Sequence, residues 1–216
     1  AGLQAAASSG RWGYANSHSK AAWGFSRVAS AYVPQNQGAR MRGLNVGRQA
    51  DGTVLINALQ IFGVDPLDSA SRQAGIELGK AEAEHVLAWL RENMGGFEAA
   101  ELGDFPTSLY IRESRHIVGE YILTVHDVLE NRIFPDAIAF GSYPIDVQAS
   151  SPDELGFVVG VPTLYSVPLR CLIPLQHENL LVAGKAASFT SLAAGSARVV
   201  PIGMSTGQAA GVAASV

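Results

Sequence analysis

"NLLVAGKAASFTSLAAGSARVVPIGMSTGQAAGVAASV", residues 179–216, is the stretch whose reading decides the fold. A short apolar run, Leu180 to Ala183, ends in Gly184, and a polar loop rich in Gly and Ser follows. A helix of small residues is then expected from about Arg198 to the end of the sequence. So short an apolar run predicts a strand buried on both faces of a parallel sheet. Strand, Gly-rich turn and helix N-terminus form a recurring site for anionic and polar ligands. The first helical amides there lack internal partners, and the macrodipole favours electron-rich groups. Gly184 would let a ligand approach the backbone, and Gly195 and Ser196 would shape the turn. Gly203, Gly207 and Gly211, among alanines, would give the helix a thin face. An interior helical glycine costs about 1 kcal/mol relative to alanine, so three of them need a packing or a ligand reason. A plain Gly/Ala helix packed tightly on a sheet is the alternative.

Outward from this stretch, a parallel strand needs neighbours, and the upstream sequence offers few strand–helix–strand units to supply them. Part of the sheet is therefore expected to lie outside this sequence. Residues 1–50, rich in Ala, Gly and Ser with scattered aromatics, read as an irregular segment with one helix near Ser19 to Ala31. "GTVLINALQIFGVDP" (52–66) is β-branched at first and stops at Pro66, which predicts a strand. Asp68 or Ser69 can cap a helix running to about Asn93, with "MGGF" ending it. "LYIRESRHIVGEYIL" (109–123) reads as two strands with a bend, and "VHDVLENR" (125–132) as a short helix. "DAIAFGSYPIDVQ", "LGFVVG" and "TLYSVPLRCLIP" read as extended segments, whose frequent prolines suit edges and loops.

Composition bounds the rest. Hydrophobic residues at 48% against 16% charged permit a substantial core and exclude global disorder. A net charge of -4 leaves no basic footprint for nucleic acid. No apolar stretch approaches the ~20 residues of a membrane span. The one cysteine, Cys171, sits in an apolar run and reads as a buried, inert thiol. It favours a reducing, cytoplasmic compartment and cannot form a thiolate metal site. His18, His85, His126 and His177 lack metal-ligand spacing, so no metal is expected. The sequence begins at Ala1 with no basic head or compact apolar centre, so it does not read as an intact signal peptide.

"IRESRHIVGEYILTVHDV", "FPDAIAFGSYPIDVQ", "YSVPLRCLIP" and the closing 38 residues resemble the C-terminal part of FAD-dependent oxidoreductases of the glutathione-reductase-like superfamily. The best match is a broad bacterial family, mostly of unassigned substrate. The resemblance implies an α+β or α/β chain: residues 51–178 as a substrate-side mixed sheet, and 179–216 as the closing strand–loop–helix of the FAD domain. Relatives also carry a strand–GxGxxG–helix unit that grips the ADP half of FAD. This sequence has no such unit, so its partner segment is expected elsewhere and the chain alone is expected to be inactive. By resemblance, Gly184, Lys185, Ser188, Thr190, Gly195, Ser196, Arg198 and Val199 are the cofactor-binding positions. Lys185 replaces the family's usual Arg, a point charge in place of a planar fork. Ser191 stands where many relatives have His.

"RESRHI" gathers Arg112, Glu113, Arg115 and His116. If extended, Arg112, Ser114 and His116 share one face while Glu113 and Arg115 share the other. Either a guanidinium clamp for an acidic substrate or for the flavin region, or a surface ladder of Arg and Glu, fits this pattern. Tyr143, Asp146, Tyr165 and Arg170 lie on the family's substrate-side strands and join Arg112, Arg115 and His116 as candidates to face the substrate. Two functions are carried forward. One is the C-terminal portion of an enzyme passing a hydride or electron pair between a small molecule and FAD. The other is a non-catalytic subunit or domain that binds a partner chain or ligand. Association with a second copy is compatible with either.

Overall fold

The computed structural model describes residues 2–215; Ala1 and Val216, the outer ends of the expected first and closing segments, lie outside them. The chain forms two compact units, Ala1–Leu109 with Ser151–Asp153, and Tyr110–Ser150 with Glu154–Val216. Both mix helices with small antiparallel sheets.

In the first unit, helix α1 (Gly2–Ser8) precedes strands β1 (Ala15–Ser17) and β2 (Ala21–Gly24), the single-turn helix α2 (Val28–Ala31), and strands β3 (Ala39–Arg48) and β4 (Val54–Ile61). The strands form one antiparallel sheet in the order β1-β2-β3-β4. Three strands, β1, β2 and β3, thus run through a segment read as irregular, and the helix expected from Ser19 shrinks to Val28–Ala31. Burial explains the difference. Trp12, Phe25, Val28, Tyr32, Met41 and Leu44 sink into one core and hold the small residues between them in strands that intrinsic propensity would not select.

Helix α3 (Ser69–Asn93) starts and stops where the sequence places it, with the Asp68 carboxylate accepting from the amides of Ala70 and Ser71. It buries Gly75, Glu82, Val86 and Leu90. A side chain at 75 would strike Val64 and Leu109, so glycine there is a packing requirement. Glu82 is fully buried and answered four times. It accepts from the Tyr32 hydroxyl, from the amides of Gln35 and Asn36 at 3.1 Å each, and from Asn36 Nδ2 at 2.7 Å. The carboxylate thereby ties the loop before β3 to the middle of α3. Burial by itself would raise its pKa. The bonds from Tyr32, Asn36 and Gln35 outweigh burial and hold it below the ordinary 4.5.

In the second unit, Thr124 and Asp127 form a reciprocal capping box on helix α4 (Val125–Leu129). Strand β5 (Ala137–Gly141) will pair with β8, and β6 (Ile145–Val147) with β7 (Phe157–Val159); β8 spans Tyr165–Pro168. A 3-10 turn at Leu169–Cys171, another at Gly184–Ala186, and helices α5 (Ser191–Ala197) and α6 (Val200–Ala213) complete the unit.

Three expectations change here. The run Leu180–Ala183 joins no sheet; the Val182 amide donates to Leu172 O, and no described strand lies alongside to make it a ladder. Residues 109–123 likewise form no strands, only isolated bridges Gly119–Pro174 and Leu123–Phe189. Gly195 and Ser196 lie inside helix α5, not in a turn, and the last helix starts at Val200 behind the cap residue Val199.

What replaces the sheet is a crossing of three segments joined backbone to backbone. Residues 117–123 bond to Ala186 O, Ile173 O, Arg170 O and Ser188 O, while Val118 O accepts from Leu175 and Leu123 O from Thr190. At the crossing, a Cβ on Gly119 would sit 2.9 Å from both Arg170 O and Ser188 Cβ. Cys171 lies in this core, as expected, and burial pushes its thiol up to about 12. Among the described residues no helix is long and apolar enough to cross a membrane, and no group of three His, Cys, Asp or Glu could hold a metal.

Glu82 yields a test of the first unit. Its depressed pKa stabilises the fold fully above the unfolded value, and that contribution is lost as pH falls through the folded value. Glu82→Gln should cost about 1–3 kcal/mol at neutral pH, because at least one donor loses its charged acceptor. In urea titrations the gap between variant and wild type should narrow below pH 4.5; a constant gap down to pH 3 contradicts the assignment.

Candidate functional site

The eight residues carried over as cofactor positions divide by what their side chains already touch. Ser188 is fully buried, and its Oγ accepts from the Gly119 amide at 3.0 Å. Thr190 caps α5 by accepting from the Ala193 amide. Gly195 packs on β6: a Cβ there would lie 3.1 Å from Ile145 and 3.4 Å from the Asp146 backbone. The Ser196 hydroxyl is buried, donating to Tyr143 O at 2.6 Å and lying 2.7 Å from the Tyr165 hydroxyl. With Ser196 committed to Tyr143, the phenol is the donor between them. Burial pushes the Tyr165 hydroxyl up to about 12. Arg198 Nη2 donates to Asp146 O at 3.1 Å and meets its carboxylate at 3.4 Å, with only 8% of the side chain exposed.

Others face outward. Gly184 adopts φ +71° with nothing within 4 Å of where a Cβ would stand, a conformation that favours glycine. Its amide donates to Thr206 Oγ1 at 3.1 Å, and that buried hydroxyl donates to Gly203 O, so the loop is fastened to α6. Gly203, Gly207 and Gly211 on α6 also open onto empty space. Lys185 is exposed, its Nζ donating to Ile111 O at 2.5 Å.

The RESRHI segment lies against this loop. Arg112 Nη1 reaches Asp146 at 3.0 Å, so one carboxylate answers two guanidinium groups. Glu113 bridges: one oxygen lies 3.0 Å from His116 Nε2, and the other accepts from Ser191 Oγ at 2.9 Å. His116 Nδ1 lies 3.1 Å from Ala187 O. Glu113 and His116, assigned to opposite faces by strand alternation, therefore meet, because this segment bends and forms no ladder. Arg112, His116, Lys185, Arg198, Asp146 and Ser191 are gathered on one stretch. Arg115 is exposed beside it, and Tyr143 is exposed with its carbonyl held by Ser196.

Tyr165 and Arg170 serve other ends. Tyr165 is wholly buried. Arg170 grips Asp136 with two bonds, 2.9 and 3.1 Å, and lies over the Tyr121 ring. The Arg170 guanidinium holds the Asp136 carboxyl below its ordinary range. Tyr110, two residues before Arg112, was not singled out from sequence. Its ring is 72% exposed, with Arg112 and Lys185 centred 5.8 and 6.0 Å away.

Glycine-lined open backbone beside a helix, with a cation at its rim, fits an electron-rich, flat group that must approach the main chain closely. The profile of the FAD dependent oxidoreductase family matches residues 4–216. The chain belongs to that family, and its cofactor is FAD. Comparison with curated proteins and with solved structures finds no match.

The inward contacts make Gly195 and Arg198 measurable as parts of the fold. Gly195→Val should overpack α5 against β6 and cost about 1–3 kcal/mol. Arg198→Ala should cost about 2 kcal/mol through lost charged hydrogen bonds, with Asp146 still answered by Arg112. Both should lower the urea midpoint whether or not FAD is present. Unchanged midpoints would mean these residues serve only the ligand.

Proposed function

We propose that this chain forms the substrate-side region and closing segment of a glutathione-reductase-like flavoprotein, passing a hydride or electron pair between a small molecule and FAD. The observation that carries this reading is the docking of the 110–117 segment on the Gly184–Ser191 loop, which puts polar side chains beside an open glycine surface. FAD, when bound, supplies the redox chemistry. Gly184, Lys185 and the glycine face of α6 would hold it. Ser188, Thr190, Gly195 and Ser196 would act from beneath, fixing the loop and α5. Arg198 and Val199 would set the entry to α6, with the Arg198 charge offset by Asp146. Arg112, Arg115, His116 and Tyr143 would meet the small molecule. The ADP half of FAD would need a GxGxxG unit, which this sequence does not contain. The work would be done in the cytoplasm, with a second copy as a possible partner.

A non-catalytic subunit would lack the visible absorption of bound flavin, and the absent GxGxxG unit is what favours that second reading. A visible spectrum of the purified protein separates the two. Gly207→Leu tests the surface itself: the residue is exposed, and nothing lies within 4 Å of where its Cβ would stand. Relief of the helical glycine cost of about 1 kcal/mol should leave thermal stability equal or higher. FAD affinity, followed by visible absorbance, should fall. Unchanged affinity would remove α6 from the cofactor surface.

A further inference from the structure

The cations around Tyr110 do work that the fold does not require of them. Asp146 answers both Arg112 and Arg198 with a single carboxylate, and Lys185 adds a further positive charge without an acidic partner among the described residues. The nearest acid in the sequence, Glu113, is occupied by His116 and Ser191. A local surplus of positive charge thus stands in a chain whose net charge is -4. The donors are also held in place. Nη1 of Arg112 is fixed on Asp146 and one proton of Lys185 Nζ on Ile111 O. Among the described residues, Nε and Nη2 of Arg112 and the remaining Lys185 protons meet no acceptor. Between these two cations lies an exposed ring that offers an apolar contact.

We propose that Tyr110, Arg112 and Lys185 form a binding site for a small oxyanion, with Arg112 and Lys185 donating to its oxygens and the Tyr110 ring contacting the body that bears it. This rests on the oxidoreductase reading in that the oxyanion is a carboxylate of the substrate. Arg112 suits two oxygens of one group because its guanidinium is planar, whereas Lys185 supplies a point charge. Both cations are partly exposed, so binding should weaken as salt rises.

The test uses the FAD-bearing protein and a preparation stripped of FAD, with benzoate and inorganic pyrophosphate as probes. Binding is followed by calorimetry and by NMR shifts of the Tyr110 ring. Saturable binding of benzoate to both preparations assigns the site to a substrate carboxylate. Binding of pyrophosphate to the stripped form alone, with benzoate binding to neither, overturns the assignment to a substrate carboxylate. Lys185→Gln should weaken benzoate binding about tenfold, the loss of one charge-assisted bond. Arg112→Gln should do the same, and Arg112→Lys should restore less than half of the loss. Because Arg112 also supports Asp146, Lys185→Gln is the decisive variant; its side chain is exposed and its loss leaves the core untouched. If neither probe shifts Tyr110, or Lys185→Gln binds as wild type does, the site does not exist. A wild-type protein that binds neither probe can still show the flavin spectrum, whereas failure of the oxidoreductase reading is seen as a wild-type protein that never holds FAD.

Discussion

Gly119 sits in the second unit where three segments cross with no room for a methyl group. Everything that gives the site its shape hangs from that crossing. Because residues 117–123 bond directly to the backbone on either side, the 110–117 segment before them is delivered onto the Gly184–Ser191 loop. The buried Ser188 hydroxyl answers the Gly119 amide, so even the polar group at the crossing is satisfied. A regular sheet would place side chains alternately on two faces. The crossing instead lets Glu113 and His116, three apart, meet on one side and reach Ser191.

Around this crossing the polar groups work in two ways. The buried acceptors and donors find partners: Tyr165 pairs with Ser196, and Asp127 with Thr124, Tyr121 and Arg132. Such matching is what a water-poor interior requires, since a buried donor or acceptor left alone costs about 1–3 kcal/mol. Those at the rim are not matched in this way. Two guanidinium groups share Asp146, and Lys185 takes a carbonyl. A surface with cations to spare, beside glycines with space to spare, is where ligand chemistry is least constrained by the demands of folding.

Local signals were legible in the sequence wherever they were self-contained. The Asp68 cap and the stop at "MGGF" bracket α3, because a cap and its partners lie within a few residues, and "VHDVLENR" holds α4. The β-branched run before Pro66 gives β4. Strands β1 to β3 were hidden because their sequence is small and polar, and their order comes from aromatic anchors far apart in the chain. Leu180–Ala183 reads as a strand, but a strand needs neighbours, and no described one runs beside it. At the site, the family pattern placed Gly184 and Lys185 on the open surface. It could not reveal that Gly195 and Ser196 turn toward β6 and Tyr165, because helix and turn share the same Gly-Ser composition. Nor could spacing bring Ser191 to Glu113, 78 residues away.

The sulfur atoms are distributed in a way that matters to a protein handling electrons. Cys171 is sealed in the core and kept as the thiol, so it offers peroxide neither access nor a thiolate to attack. Met41 and Met94 are equally enclosed. Met204 alone among the methionines stands in solvent, 71% exposed on α6. Oxidative damage would therefore fall first on a thioether, a lesion that reductases can reverse, and would leave the only sulfhydryl intact.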